Sequence, residues 1–172
     1  DEKQLWQRHM TMAKIGGYGQ SGVNRQAFSV EDNQARTLMC DWANEMQLTQ
    51  FVDSIGNLFF RYQPEGSKGS PVVTGSHADS QPTGGRFDGI YGVLAGFEAI
   101  NAIKQSGVTI KRPLEIVAWS NEEGSRFAPG AMGSMVFMGY RTLNDLEKIK
   151  DSQGIVLSDA LKSSLAATPN AE

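Results

Sequence analysis

Thr74-Gly-Ser-His-Ala-Asp-Ser-Gln-Pro-Thr-Gly-Gly-Arg-Phe-Asp88-Gly89 places one of the two histidines of this 172-residue chain beside two aspartates and four glycines. Its first residues close a run, Pro71 to Ser76, that reads as a short buried strand. Beyond it, Ile90, Val93, Leu94, Phe97, Ile100 and Ile103 recur at helical spacing and stop at Gly107. Leu114 to Trp119, preceded by Pro113, is a second strand and runs directly into Ser-Asn-Glu122-Glu123-Gly. Strand, helix and strand make a βαβ unit, which predicts parallel pairing in an α/β fold. One imidazole and four carboxylates therefore follow the C-terminal ends of two strands, the edge at which open α/β sheets hold ligands.

Working outward, Leu5, Trp6, Met10, Met12, Ala13 and Ile15 form an imperfect helical stripe that ends at Gly16-Gly17. His9 lies within it as a surface or packing residue. Residues 16–29 carry four glycines and read as a loop. Ser29-Val-Glu-Asp32 is an N-cap pattern, opening a helix whose Ala35, Leu38, Met39, Trp42 and Met46 face a core. Leu48 to Asp53 and Asn57 to Tyr62 read as a hairpin around Ile55-Gly56, and Gln63 to Ser70 as a solvated turn. Downstream, Gly124 to Ser134 reads as loop, and 135–150 and 158–167 as helices.

The totals narrow the partners. Hydrophobic content of 40%, charged content of 20% and a net charge of −3 suit a single soluble domain and offer no nucleic-acid-binding surface. No apolar run approaches a membrane span and no signal-peptide pattern opens the chain. Cys40 is the only cysteine and sits on a helical pattern, so it reads as packing, and a reducing, cytoplasmic setting is expected.

A hydrolase without a reactive serine or cysteine needs another nucleophile at neutral pH, and two divalent ions roughly 3.5–4 Å apart supply one by acidifying a shared water. That chemistry asks for a bridging carboxylate, terminal imidazole and carboxylate ligands, and a base. Asp88, on a glycine-rich turn, suits the bridge and His77 suits a terminal ligand. Asp79 suits a carboxylate that orients the imidazole through its other nitrogen. Adjacent Glu122 and Glu123 point different ways from extended backbone, so one suits metal and the other suits base. Each element alone also has an ordinary explanation: Asp88 as a cap on the helix beginning at Gly89, Asp79 as a turn cap, Glu122-Glu123 as a solvated pair. The loop after Ser76 lacks Gly-x-Gly-x-x-Gly spacing, which disfavours a nucleotide-binding unit.

The stretches Gly75 to Gly96 and Ala118 to Ser134 resemble the M20-type metallopeptidase superfamily. They are most similar to its branch of N-carbamoyl-L-amino-acid hydrolases, β-ureidopropionases and allantoate amidohydrolases. The eleven-residue step from His77 to Asp88, the Asn-Glu-Glu-Gly-Ser-Arg-Phe string, and Leu5 to Arg8, Gly22 to Arg25 and Asp53 to Phe59 all favour that branch. The resemblance implies a three-layer αβα domain with a mostly parallel mixed sheet. It implies that His77, Asp88 and Glu123 bind metal, with Asp88 bridging, that Glu122 is the general base and proton donor, and that Asp79 supports His77. Two zinc or manganese ions are implied, with a small ureido or carbamoyl substrate whose non-peptide C–N bond is hydrolysed, and a homodimeric full-length protein.

The resemblance also implies two further histidine ligands and an inserted smaller domain from later in the chain. Residues 1–172 are therefore expected to form the N-terminal portion of the catalytic domain, ending about Glu172 and inactive alone. The alternatives are an aminopeptidase or dipeptidase with the same metal logic, or a fragment that keeps the fold without activity.

Overall fold

The computed structural model describes residues 1–168, and the expected limit at Glu172 lies outside them. Helix α1 (Glu2–Met12) opens on Asp1, whose side chain accepts from the Lys3 and Gln4 amides. Two short strands, β1 (Gly17–Tyr18) and β2 (Gly22–Val23), precede α2 (Val30–Glu45). The Ser29 hydroxyl caps α2 by accepting from Asp32 N at 3.1 Å, as the capping pattern predicts. Strands β3 (Thr49–Val52) and β4 (Leu58–Tyr62) form the expected hairpin. Then come β5 (Val72–His77), β6 (Gly84–Gly85), α3 (Ile90–Ser106) and β7 (Leu114–Trp119). Three helices close the described chain: α4 (Met132–Phe137), α5 (Leu143–Leu146) and α6 (Leu157–Ala167).

The main sheet has the order β3-β4-β7-β5. The βαβ unit is present: β5 and β7 pair in parallel, with α3 lying across both. The other two pairings, β3–β4 and β4–β7, are antiparallel. The sheet is thus mixed, but only one of these three pairs is parallel, where the sequence reading expected mostly parallel pairing. The register sets His77 beside Trp119, so the loops leaving β5 and β7 start level with each other.

Alternation along the strands sends successive side chains to opposite faces. Phe60 and Ile116 are fully buried on the α3 face, where Phe60 meets Phe97 at 5.2 Å between ring centroids. Phe59 and Trp119 point the other way and meet Phe137 of α4 at 5.6 and 5.3 Å. Helices therefore cover both faces, giving the αβα layering. Gly92 lets α3 come close to β5, since a Cβ there would lie 2.8 Å from that of Ser76. Arg8 of α1 reaches Glu98 of α3 at 2.7 Å, and both side chains are buried. A second apolar cluster gathers Phe28, Ile55, Phe127, Met132, Leu157 and Leu161 beneath the last three helices.

Four local readings are corrected. Residues 16–29 are not all loop: β1 and β2 pair, β2 pairs with β6 at Gly22 and Gly85, and Gly22 leaves room for the Tyr18 ring that lies over it. The segment 135–150 is not one helix, because Gly139 takes φ +75° and Thr142 with Asp145 starts α5 through a capping box. The β5 strand lies at the sheet edge, so Val72 and Val73 are exposed rather than buried. In α1, Arg8, His9 and Met12 are buried while Trp6 of the expected stripe is exposed. Among the described residues no helix is long and apolar enough to cross a membrane.

Candidate active site

His77 ends β5, and Gly89 packs against its ring. Gly89 has φ +66°, and any Cβ there would fall on the imidazole. A glycine at this point is therefore required by both backbone and contact. The loop after His77 is held from below by buried Arg25, whose Nε donates to Ala78 O at 2.7 Å and whose amide donates to Ser80 Oγ at 2.9 Å.

Asp79 is buried and acts as a clamp. Its Oδ1 accepts from Glu122 N and its Oδ2 from Glu123 N, each at 3.2 Å. The carboxylate thus joins the loop after β5 to the loop after β7. This differs from a carboxylate devoted to the imidazole: His77 Nδ1 lies 3.0 Å from the Asp79 carbonyl oxygen and 3.6 Å from its Oδ1. A carbonyl only accepts, so Nδ1 carries the proton in the neutral ring and Nε2 carries the lone pair.

That lone pair faces a carboxylate, with Nε2 3.3 Å from Glu122 Oε2. Two acceptors at this separation require a proton or another cation between them. The imidazole registers the same field. Burial works to lower its pKa, but the hydrogen bonds and charge of Asp79, with the charge of Glu122, outweigh it and raise the value to about 9. His77 Nε2 is a nitrogen donor of the kind that zinc and manganese take, and Asp88 and Glu123, on the loops after β5 and β7, offer carboxylate oxygens of the kind that complete such a donor set.

The remaining candidates stand further out. Glu123 Oε2 accepts from Gln81 Nε2 at 3.1 Å, so Glu122 and Glu123 do diverge as adjacent side chains should. Asp88 is exposed, next in sequence to the glycine that touches His77. It provides no side-chain cap to α3. Asp79 likewise spends its carboxylate on the distant Glu122 and Glu123 amides. Among the described residues no three His, Cys, Asp or Glu side chains cluster closely enough to hold an ion. His77, Asp79 and Glu122 are thus brought together, while Asp88 and Glu123 are not drawn in with them. Gln81 was missed in the sequence, where its only signal is its place two residues after Asp79.

His9 is a packing residue: it is buried 5.1 Å from the Phe87 ring and 5.7 Å from Tyr91, and burial lowers its pKa, keeping it neutral. Cys40 is fully buried, and burial pushes its thiol up to about 11, which makes it inert packing.

Comparison with known proteins bears on this geometry. A model of peptidase family M20/M25/M40 matches residues 73–163. An N-carbamoyl-L-amino-acid amidohydrolase from Rhizobium meliloti is 42% identical over 92% of this chain and 38% of its own length. One from Geobacillus stearothermophilus is 38% identical over 93% of this chain and 39% of its own. The crystal structure of a hydantoinase/carbamoylase family amidase from Burkholderia ambifaria superposes with a TM-score of 0.92 at 43% identity, covering 98% of this chain and 42% of that one. The chain thus spans about two fifths of the length of the proteins it matches.

Proposed function

This chain belongs to peptidase family M20/M25/M40, and from that membership we propose that the intact protein is a divalent-metal-dependent amidohydrolase. Its substrates are N-carbamoyl amino acids or related linear ureido compounds such as allantoate. Residues 1–172 are its N-terminal catalytic portion. The observation that carries this reading is His77 Nε2 facing the Glu122 carboxylate across 3.3 Å, at the end of two loops that Asp79 ties together. Relatives named N-carbamoyl-L-amino-acid amidohydrolase support the choice of substrate class over peptides.

In this proposal His77, Asp88 and Glu123 would hold divalent zinc or manganese, which would supply an acidified water and polarisation of the scissile carbonyl. Glu122 takes the water's proton and passes it to the leaving nitrogen. Its half-exposed side chain is free to meet water on one side and His77 on the other. Asp79 keeps Nδ1 protonated through its carbonyl and holds the backbone of both glutamates through its carboxylate. For an N-carbamoyl amino acid, one water converts the ureido group to the free amino acid, carbon dioxide and ammonia.

The family also includes peptidases, so the substrate assignment needs a direct test. Intact protein supplied with zinc or manganese is assayed for hydrolysis of N-carbamoyl amino acids, allantoate and dipeptides. Ammonia release from an N-carbamoyl amino acid or allantoate is expected. Turnover confined to dipeptides would overturn the ureido assignment.

A further inference from the structure

Asn57 stands in the turn between β3 and β4, far in sequence from the candidate site and fully buried. Its carboxamide uses every hydrogen-bonding group, one locally and the others across more than sixty residues. Nδ2 donates to Asp53 Oδ2 at 2.7 Å and to Gly133 O at 3.0 Å. Oδ1 accepts from Ser120 N at 2.9 Å. Ser120 is the first residue beyond β7 and precedes Glu122 by two. Gly133 is the second residue of α4, and its own amide returns to Ser120 O at 3.0 Å. One side chain thus joins the hairpin turn, the start of the Glu122-Glu123 loop and the helix that closes that loop.

The backbone it holds takes an uncommon turn: Asn121, between Ser120 and Glu122, has φ +45°, the left-handed region that asparagine enters more readily than most residues with a side chain. Asp79 grips the loop from the Glu122 side, and Asn57 grips it from the Ser120 side. Glu122 and Glu123 face different partners, so a tilt of this backbone would move both carboxylates at once. No other residue type supplies two donors and an acceptor in this reach. Aspartate would lose both donors and set a second charge against Asp53, and alanine would lose all of these bonds, together with the one that Oδ1 accepts from Ser120 Oγ at 3.2 Å. Gly133 is packed directly on the amide, leaving no room for a longer side chain.

We infer that Asn57 is a positioning residue: it fixes the backbone from which Glu122 and Glu123 project, and so sets the rate of the reaction without touching substrate. The inference rests on the amidohydrolase reading for its kinetic consequence, but not for its structural one.

The test uses intact protein carrying Asn57→Ala, Asn57→Asp or the exchanged pair Asp53→Asn with Asn57→Asp. Turnover is measured well below each variant's unfolding temperature, alongside amide hydrogen exchange of Ser120 to Glu123. Asn57→Ala and Asn57→Asp are expected to lower kcat about 10- to 100-fold with KM nearly unchanged. Both are expected to speed exchange in this segment alone. The exchanged pair, which keeps the acceptor for Ser120 N and restores the bond to residue 53 but leaves Gly133 O without its donor, is expected to recover part of both losses. Unchanged exchange at Ser120 to Glu123, or a kcat that falls only in step with the folded fraction, would overturn it. Exchange needs no substrate. A wild type inactive on every ureido compound would sink the functional reading, while exchange would still decide the role of Asn57.

Discussion

The two ends of β7 are held by different forces. Along the strand, Ile116 and its neighbour Phe60 are sealed against Phe97 of α3, an interface of aliphatic and aromatic surface with the Arg8 guanidinium 5.6 Å from the Phe97 ring as its polar neighbour. Just past Trp119 the packing turns polar: Ser120, Glu122, Glu123 and Gly133 are located by hydrogen bonds to Asn57 and Asp79 and to one another. The first region owes its stability to buried area, which many apolar residues supply. The second owes its geometry to donors and acceptors that few residues can replace. Mutations in the strand interface should therefore cost stability and spare chemistry, and mutations in the loop should do the reverse.

The sharpest separation is expected at Glu122. Glu122→Gln keeps the shape of the side chain and removes the base, so turnover of an N-carbamoyl amino acid should fall about 10²- to 10⁴-fold. Thermal unfolding should barely move, since the side chain is 39% exposed. Activity within a few-fold of wild type would remove Glu122 from the reaction. The converse variant is Phe97→Ala. Truncating this fully buried ring should cost about 3–5 kcal/mol in urea unfolding while activity per folded molecule holds. A cost below about 1 kcal/mol would show that the α3 face is not the core.

Gly89→Ala crosses the boundary between the two regions, because its backbone begins α3 and its surface supports His77. It should cost about 1–3 kcal/mol through the φ of +66°. It should also displace the imidazole, visible as a shift of the His77 ring resonances and a loss of about tenfold or more in kcat. Unmoved ring resonances would break the link between the helix start and the site. The smallest effect is expected at Gln81→Ala, which removes one hydrogen bond at the rim, worth about 0.5–1.5 kcal/mol. A fall in kcat/KM larger than about 100-fold would give Gln81 a direct role in substrate binding that this account does not assign.

The contrast also explains what the sequence made legible. β7 and α3 follow from Pro113, from the run Leu114 to Trp119 and from apolar spacing that ends at Gly107, all of them local signals. His77, Asp79 and Glu122 were found because their residue types and the strand ends that carry them can be read in order. The side chains that hold the surrounding loop were not found. Gln81 meets Glu123 across 42 residues, and Asn57 meets Ser120 across 63, and no local pattern announces such pairs. The reading of 135–150 as a single helix failed at Gly139, where a left-handed backbone stops a segment whose apolar spacing continues. The antiparallel share of the sheet was underestimated because the β4–β7 pairing joins strands that are far apart in sequence.

Anomalous scattering from crystals of the intact protein grown with manganese would locate the ions outright. Two peaks roughly 3.5–4 Å apart are expected, with His77 Nε2 on one, Glu123 on the other and Asp88 between them. A single peak remote from His77, or two peaks with Asp88 turned away from both, would contradict this arrangement.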